Sequence, residues 1–249
     1  MATVHWWGYV NTNFGDALTP WMIRKLGHTP VYVPTDHTAE KVVGAGAVIG
    51  DAHAPCLIWG TGIGSWDDPV HPYVKFLAVR GPLTRARVQA AGRRCPQVYG
   101  DPGLLLPRLH PPKPLPRVKL GIVPHFLDQA QVHAAYGDNP DVRIVDLLGP
   151  IEDVIDGIAS CDKVLSSSLH GLVVAAAYGI PFGWARFSDK LCGDGTKFRD
   201  FYLSVSMDPP GEPMLCEREV FPVDNFLAWI PPYAAKVDVD ALWDVCPFR

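Results

Sequence analysis

No CxxC pair occurs among the six cysteines, Cys56, Cys95, Cys161, Cys192, Cys216 and Cys246. That scatter excludes a zinc knuckle and fits free thiols in a reducing compartment. Long apolar runs are also missing: the longest, 172–178, is far too short to cross a bilayer. The opening "MATVHWWGYV" lacks the basic start and extended apolar core of a signal peptide. No block of like charge forms a tail, and a net charge of −4 with a pI near 6.1 leaves no cationic footprint for nucleic acid. Internal repeats and low-complexity segments are absent. These absences together point to a cytoplasmic protein with no membrane span and no nucleic-acid partner.

What is present is the material of a large core, 249 residues of which 48% are hydrophobic. Apolar β-type runs alternate with amphipathic stretches, the pattern of an α/β fold with parallel sheets. Strands are expected at 4–9, 31–33, 41–43, 56–59, 76–79 and 97–99, with helices at 17–26 and 82–91. Pro82 suits a first helical position, where its missing N–H would have no partner anyway. The stretch "PRLHPPKPLPR", residues 107–117, holds five prolines and cannot enter a sheet interior. It is expected as a linker between an N-terminal domain, 1–106, and a C-terminal domain, 118–206. In the second domain, strands at 118–123, 142–146, 163–165 and 182–186 alternate with helices at 127–135, 151–160 and 169–178. Gly179 and Pro181 end the last of these helices. Residues 207–249 are expected as an extension packing back on the body, with Leu242 and Trp243 on a short terminal helix. The architecture implied is two Rossmann-like domains with a cleft between them.

In such sheets the ligand crevice lies beyond the carboxyl ends of the strands, and polar residues follow several of them. In "NTNFGDAL", Asp16 is either the cap of a helix starting at Ala17 or, with Asn13, a group facing the crevice. "GAGAVIG" and "GTGIG" lack the spacing, the following helix and the later acid of a dinucleotide fingerprint, which argues against NAD or FAD. Arg80, at the end of "FLAV", is either a surface charge or a planar fork for carboxylate or phosphate. His125 in "GIVPHFLD" is either a hydrogen-bonded edge histidine or a substrate contact. Lys197 in "GDGTKFRDFYLS" is either an anion contact or part of a mobile loop.

The most informative stretch is "SSSLHGLVVAAAYGIP", residues 166–181, where a strand turns into a helix carrying His170. Ser167, Ser168 and the amides from Leu169 onward offer hydroxyls and free N–H groups that favour an anion. The helix N-terminus opposes protonation of His170, and a bound anion reverses that. One pKa unit is only about 1.4 kcal/mol, less than a close charge pair supplies in a dry cleft. A histidine protonated when an anionic substrate is bound is suited to be a general acid. A serine nucleophile is disfavoured, since no GxSxG elbow is present and Ser-Leu-His geometry points the side chains apart.

Taken together, "NFGDAL", "VRGPLT", "YGDPGLLLP", "GIVPHFLD", "SSSLHGLVVAAAYGIP" and "GDGTKFRDFY" resemble the polysaccharide pyruvyl transferase family, over about residues 5–205 and in family order. The resemblance implies a GT-B-like fold, with two Rossmann-like domains facing a central cleft. It implies transfer of pyruvate from phosphoenolpyruvate to two hydroxyls of a sugar, giving a ketal and phosphate, in polysaccharide or exopolysaccharide biosynthesis. His170 takes the place of the family's general acid, and Asp16 is the candidate for the acceptor hydroxyl. Arg80, Asn13, His125, Ser167, Ser168, Leu169 and Lys197 are the candidate substrate contacts. No metal or organic cofactor is required by this scheme. The acceptor is expected to be a sugar or lipid-linked oligosaccharide, which would bring the protein to a membrane surface without an anchor of its own. One departure stands out: many relatives carry arginine where this chain has Ser168.

Two rivals share the residues. A GT-B-type nucleotide-sugar glycosyltransferase would want a carboxylate gripping a ribose, and the stretch 171–186 has no acid. A catalytically idle carbohydrate-binding derivative would not need His170 or Arg80 at strand ends.

Overall fold

The computed structural model describes residues 1–6, 13–53, 55–191, 193–216 and 220–249. Part of the expected first strand, along with Asn11, Thr12 and Cys192, lies outside the described residues. Along the chain run β1 (Ala2–His5), α1 (Phe14–Lys25), β2 (Pro30–Tyr32), β3 (Lys41–Val43), β4 (Cys56–Trp59), β5 (Val74–Ala78), α2 (Pro82–Ala90) and α3 (Leu106–Leu109). Then come β6 (Val118–Val123), α4 (Gln129–Tyr136), β7 (Val142–Ile144), α5 (Ile151–Ala159), β8 (Cys161–Ser166), α6 (Leu169–Ala177) and β9 (Phe182–Arg186). The last elements are α7 (Thr196–Ser204), β10 (Met214–Leu215), α8 (Val223–Trp229) and α9 (Asp240–Asp244). The strand expected at 97–99 reduces to one bridge between Val79 and Tyr99. Pro96 before it has no donor for a ladder, and Gly100 turns the chain at φ 135°.

The chain forms two compact units. The first comprises Met1–Leu105, Gly193–Pro209 and Asp238–Arg249; the second comprises Leu106–Cys192 and Pro210–Val237. The first therefore contains α7 and α9, whereas sequence alone groups 193–206 with the second half and 207–249 as one extension. Residues 107–117 begin within α3 and continue without regular structure. That stretch is tacked to α5 by Asp156, whose Oδ1 lies 2.8 Å from His110 Nε2 and accepts from the Lys113 amide at 2.9 Å.

Each unit holds one five-stranded parallel sheet. The orders are β2-β1-β3-β4-β5 and β10-β9-β8-β6-β7. Counted within its own unit, the second is the first read from the opposite edge. Both are the doubly wound order 2-1-3-4-5, compatible with two Rossmann-like domains, and both reverse direction between their first and third strands. The switch points therefore lie at the carboxyl ends of β1 and β3 in one unit, and of β6 and β8 in the other.

The sequence explains the helices that follow the switch strands. Asn13 caps α1, its Oδ1 accepting from the Gly15 amide at 3.0 Å, so that helix begins at Phe14 and not at Ala17. Helix α6 is apolar around its whole circumference and is buried from Leu169 to Ala176. It closes as sequence predicts, with Gly179 left-handed at φ 68° and the Gly179 and Ile180 amides returning to Ala176 and Ala175 carbonyls.

One network binds the returning segment 193–209 into the first unit. Asp200, fully buried, accepts from Arg80 Nε at 3.2 Å and from Thr84 Oγ1 at 2.6 Å. Its other oxygen accepts from the Leu83 and Thr84 amides at 2.8 and 3.0 Å. Helix α2 starts at Gly81-Pro82 without a side-chain cap of its own, and Asp200 supplies one from more than a hundred residues away. Removing either partner strands a buried charge. Arg80→Ala and Asp200→Ala are each expected to cost about 3–5 kcal/mol in urea unfolding, with the double variant costing less than the sum.

Candidate functional site

Asn13 and Asp16 stand at the start of α1, the helix that follows β1 along the chain. Asn13 Nδ2 donates to Asp16 Oδ2 at 2.6 Å. Asp16 is thus the third residue of the helix and not its cap, and burial pushes its carboxyl up to about 6. The same helix touches the loop after β3, where Thr19 Oγ1 accepts from the Ala45 amide at 2.9 Å. A carboxylate with this elevated affinity for a proton, at a switch point, is suited to taking a proton from a hydroxyl near neutral pH.

Arg80 is placed differently from expectation. Its side chain is wholly buried, and the fork expected to grip a ligand engages Asp200, the Gly46 carbonyl at 3.4 Å and the Ile63 carbonyl. Gly62 lacks the Cβ that would lie 2.6 Å from the guanidinium carbon, so the glycine loop closes over it. Arg80 follows the edge strand β5 rather than a switch strand, and it organises the loops of the first unit from within. Lys197, in α7, also belongs to the first unit, its Nζ 5.3 Å from the Phe198 ring centroid.

The second switch point gathers the other candidates. His125 follows β6, and Ser167, Ser168, Leu169 and His170 follow β8. Ser166 Oγ accepts from the Ser168 amide at 3.0 Å and lies 2.7 Å from the Val123 carbonyl, pinning the turn between strand and helix. Gly171 is required there, because a Cβ would sit 2.3 Å from Ser166 Oγ and 2.9 Å from Val123 Cβ. Ser168 is the N-cap residue of α6, but its side chain makes no capping bond. Leu169 buries its side chain, and His170, second in the helix, is 9% exposed.

Ser167 does not match its expected role. Its hydroxyl donates to Asp128 Oδ2 at 3.0 Å and accepts from the His125 amide at 2.9 Å. With its one proton committed and 1% exposure, it cannot donate to a substrate. His125 uses its own Nδ1 to accept from the Leu127 amide at 3.3 Å. The groups that sequence did not single out are Asp128 and Ser188: Asp128 is fully buried, and Ser188 Oγ donates to its Oδ1. The signal for Asp128 was its place in "PHFLD" after a switch strand. Among the described residues, no three His, Cys, Asp or Glu side chains gather as a metal-ligand group, and no helix is long and apolar enough to cross a membrane.

Residues 48–185, more than half of the chain, match the family model described as polysaccharide pyruvyl transferase. That span contains the whole second switch point, while Asn13, Asp16 and Lys197 fall outside it. The chain is 31% identical to a protein of Acanthamoeba polyphaga mimivirus described as uncharacterized, over 78% of this chain and 71% of that one. It is 29% identical to the succinoglycan biosynthesis protein ExoV of Rhizobium meliloti (strain 1021), over 93% of this chain and 74% of that one.

Two substitutions test this geometry. Gly171→Ala is expected to cost about 1–3 kcal/mol in thermal unfolding through overpacking. Gly157→Ala, in α5 with its nearest neighbour at 3.4 Å, is expected to be neutral or to stabilise. For Asp16 the folded form holds its proton more tightly than the unfolded chain, so stability falls as pH rises from 3.8 through about 6. Asp16→Asn is accordingly expected to melt above wild type at pH 8 and to lose that advantage at pH 4, read by calorimetry at both.

Proposed function

The chain belongs to the polysaccharide pyruvyl transferase family, and from that premise we propose that it transfers pyruvate from phosphoenolpyruvate to two hydroxyls of a sugar in a glycan or glycan precursor, forming a ketal and releasing phosphate. The observation that carries the proposal is His170 at the second position of α6, on the switch point of the second sheet, in a helix start where the N-cap Ser168 makes no side-chain capping bond. Phosphoenolpyruvate presents a phosphate and a carboxylate, and the amides of residues 169–171 with the Ser168 hydroxyl suit one of these anions. His125 stands next to them as a further contact. Lys197 remains a candidate cation for the donor in this scheme, and Arg80 holds loops in place without touching it.

The reaction proceeds as follows. His170 delivers a proton to the methylene carbon, and C2 becomes electrophilic like an oxocarbenium ion. A sugar hydroxyl adds to C2 and gives its proton to the Asp16 carboxylate, with Asn13 orienting that carboxylate. The bond from C2 to the phosphate oxygen then breaks and phosphate leaves. Loss of phosphate leaves C2 electrophilic again, and the second hydroxyl adds to it and closes the ring, its proton passing to the His170 imidazole, which had given one up in the first step. The scheme uses no metal and no organic cofactor. It includes the GT-B-like arrangement that the family resemblance implies, with the acceptor side on the domain expected at 1–106, the donor side on that expected at 118–206, and a central cleft. It also places the enzyme in the cytoplasm, acting on a sugar or lipid-linked oligosaccharide.

Thermal unfolding with phosphoenolpyruvate is the direct test, because a ligand at a hundredfold its Kd adds about 2.7 kcal/mol. His170→Ala is expected to keep that shift while phosphate release falls by about 10²–10⁴-fold. A shift with a nucleotide sugar and none with phosphoenolpyruvate would replace this reading with glycosyl transfer. In the pH profile of phosphate release, wild type is expected to gain activity as pH passes about 6, where Asp16 becomes the carboxylate that accepts the proton. Asp16→Asn is expected to be slow and flat across that range.

A further inference from the structure

The buried carboxylate of Asp128 has no part in the scheme above, and its surroundings are unusual. It is the N-cap residue of α4 but makes no capping bond to that helix. Both oxygens reach instead to serines on neighbouring strand ends, Ser167 after β8 and Ser188 after β9. The direction of every bond is fixed, because a backbone N–H can only donate and an ionised carboxylate can only accept. One relay runs from the His125 amide to Ser167 Oγ at 2.9 Å and on to Asp128 at 3.0 Å. The other runs from the Lys190 amide to Ser188 Oγ at 3.3 Å and on to the second carboxylate oxygen. Only the first relay joins the two segments of the switch point, the His125 turn and the residue preceding the cap of α6.

We propose that Asp128 is a positioning residue for the donor side of the site: through the Ser167 hydroxyl it locks His125 against the start of α6, so that the first turn of α6 and His170 hold one geometry before an anion arrives. The second relay, through Ser188, fastens the end of β9 and carries no such duty. Asp128 thus acts on the reaction without touching a substrate. The kinetic half of this inference rests on the pyruvyl-transfer reading, while the structural half stands without it.

The experiment compares Asp128→Ala, Ser167→Ala, Ser188→Ala and the Asp128→Ala/Ser167→Ala pair by amide hydrogen exchange without ligand and by phosphate release from phosphoenolpyruvate. Asp128→Ala and Ser167→Ala are each expected to speed exchange at the amides of 125 and 169–171, and to lower kcat/KM by about 10²-fold, chiefly through KM. The pair is expected to be no worse than either single variant. Ser188→Ala is expected to lower the melting temperature and leave KM unchanged. Independent, multiplying losses would overturn the proposal, as would a Ser188→Ala effect on KM equal to that of Ser167→Ala, since a merely structural carboxylate treats both arms alike. Unchanged exchange at His125 in Asp128→Ala would also overturn it, even with pyruvyl transfer intact. If wild type releases no phosphate, the reading of the reaction fails, and exchange at His125 still decides the positioning role. Should Asp128→Ala not fold, Asp128→Asn takes its place, with one relay expected to survive.

Discussion

A carboxylate taken out of water must have its lone pairs met by donors, and each half of this chain is arranged around one that is. Asp200 collects a guanidinium, a hydroxyl and two helix amides; Asp128 collects two hydroxyls, each backed by a backbone amide. In both cases the partners come from different strand ends, so satisfying one buried charge fixes several loops at once. A charge left half satisfied there would cost more than the network stabilises, which makes these junctions all-or-none. Their strictness lets short loops hold defined shapes above sheets whose own hydrogen bonds say nothing about the loops.

The sheets themselves were legible from sequence because parallel strands buried on both faces are continuous apolar runs. The bounds of β3, β4, β6 and β9 coincide with those runs, as do the starts of α2, α5 and α6. Errors arise where a local rule met a distant partner. Helix α1 starts three residues early because Asn13, not Asp16, is the cap. Arg80 at a strand end reads as a ligand fork, and nothing within twenty residues reveals that Asp200 occupies it. The same blindness hides the return of 193–209 to the first unit, since the pairing spans 116 to 120 residues. Strand β10 has two residues and helix α8 seven, and both rest on tertiary packing that no period announces.

At the site, the residues that follow switch strands were found by position and sorted only by structure. Three consecutive serines look equivalent in sequence, yet each does something different. Ser166 pins the strand-to-helix turn, Ser167 relays to Asp128, and Ser168 holds the cap position without making a capping bond. A hydroxyl has one proton, and where it goes decides whether a serine builds a site or serves it. That distinction also bears on the departure at Ser168. A serine at an N-cap whose hydroxyl makes no capping bond adds nothing from its side chain to the helix start that an alanine would lack.

The two switch points are alike in topology and opposite in chemistry. At the first, a carboxyl held by an asparagine is raised by burial to about 6. At the second, the buried acid Asp128 has both oxygens turned to hydroxyls, and those hydroxyls turn their lone pairs to backbone N–H groups. Asp128 is thus wrapped in dipoles oriented to stabilise its charge, and much of its field is spent on them. Without that wrapping, a carboxylate so near the start of α6 would oppose any anion there, by about 4 kcal/mol for bare charges 4 Å apart at an effective dielectric of 20. With it, the fold joins three strand ends through a buried acid beside the start of α6 and its histidine. The raised carboxyl of Asp16 and the imidazole of His170 therefore belong to separate sheets of the same design, each of which reverses its strand order between its first and third strands.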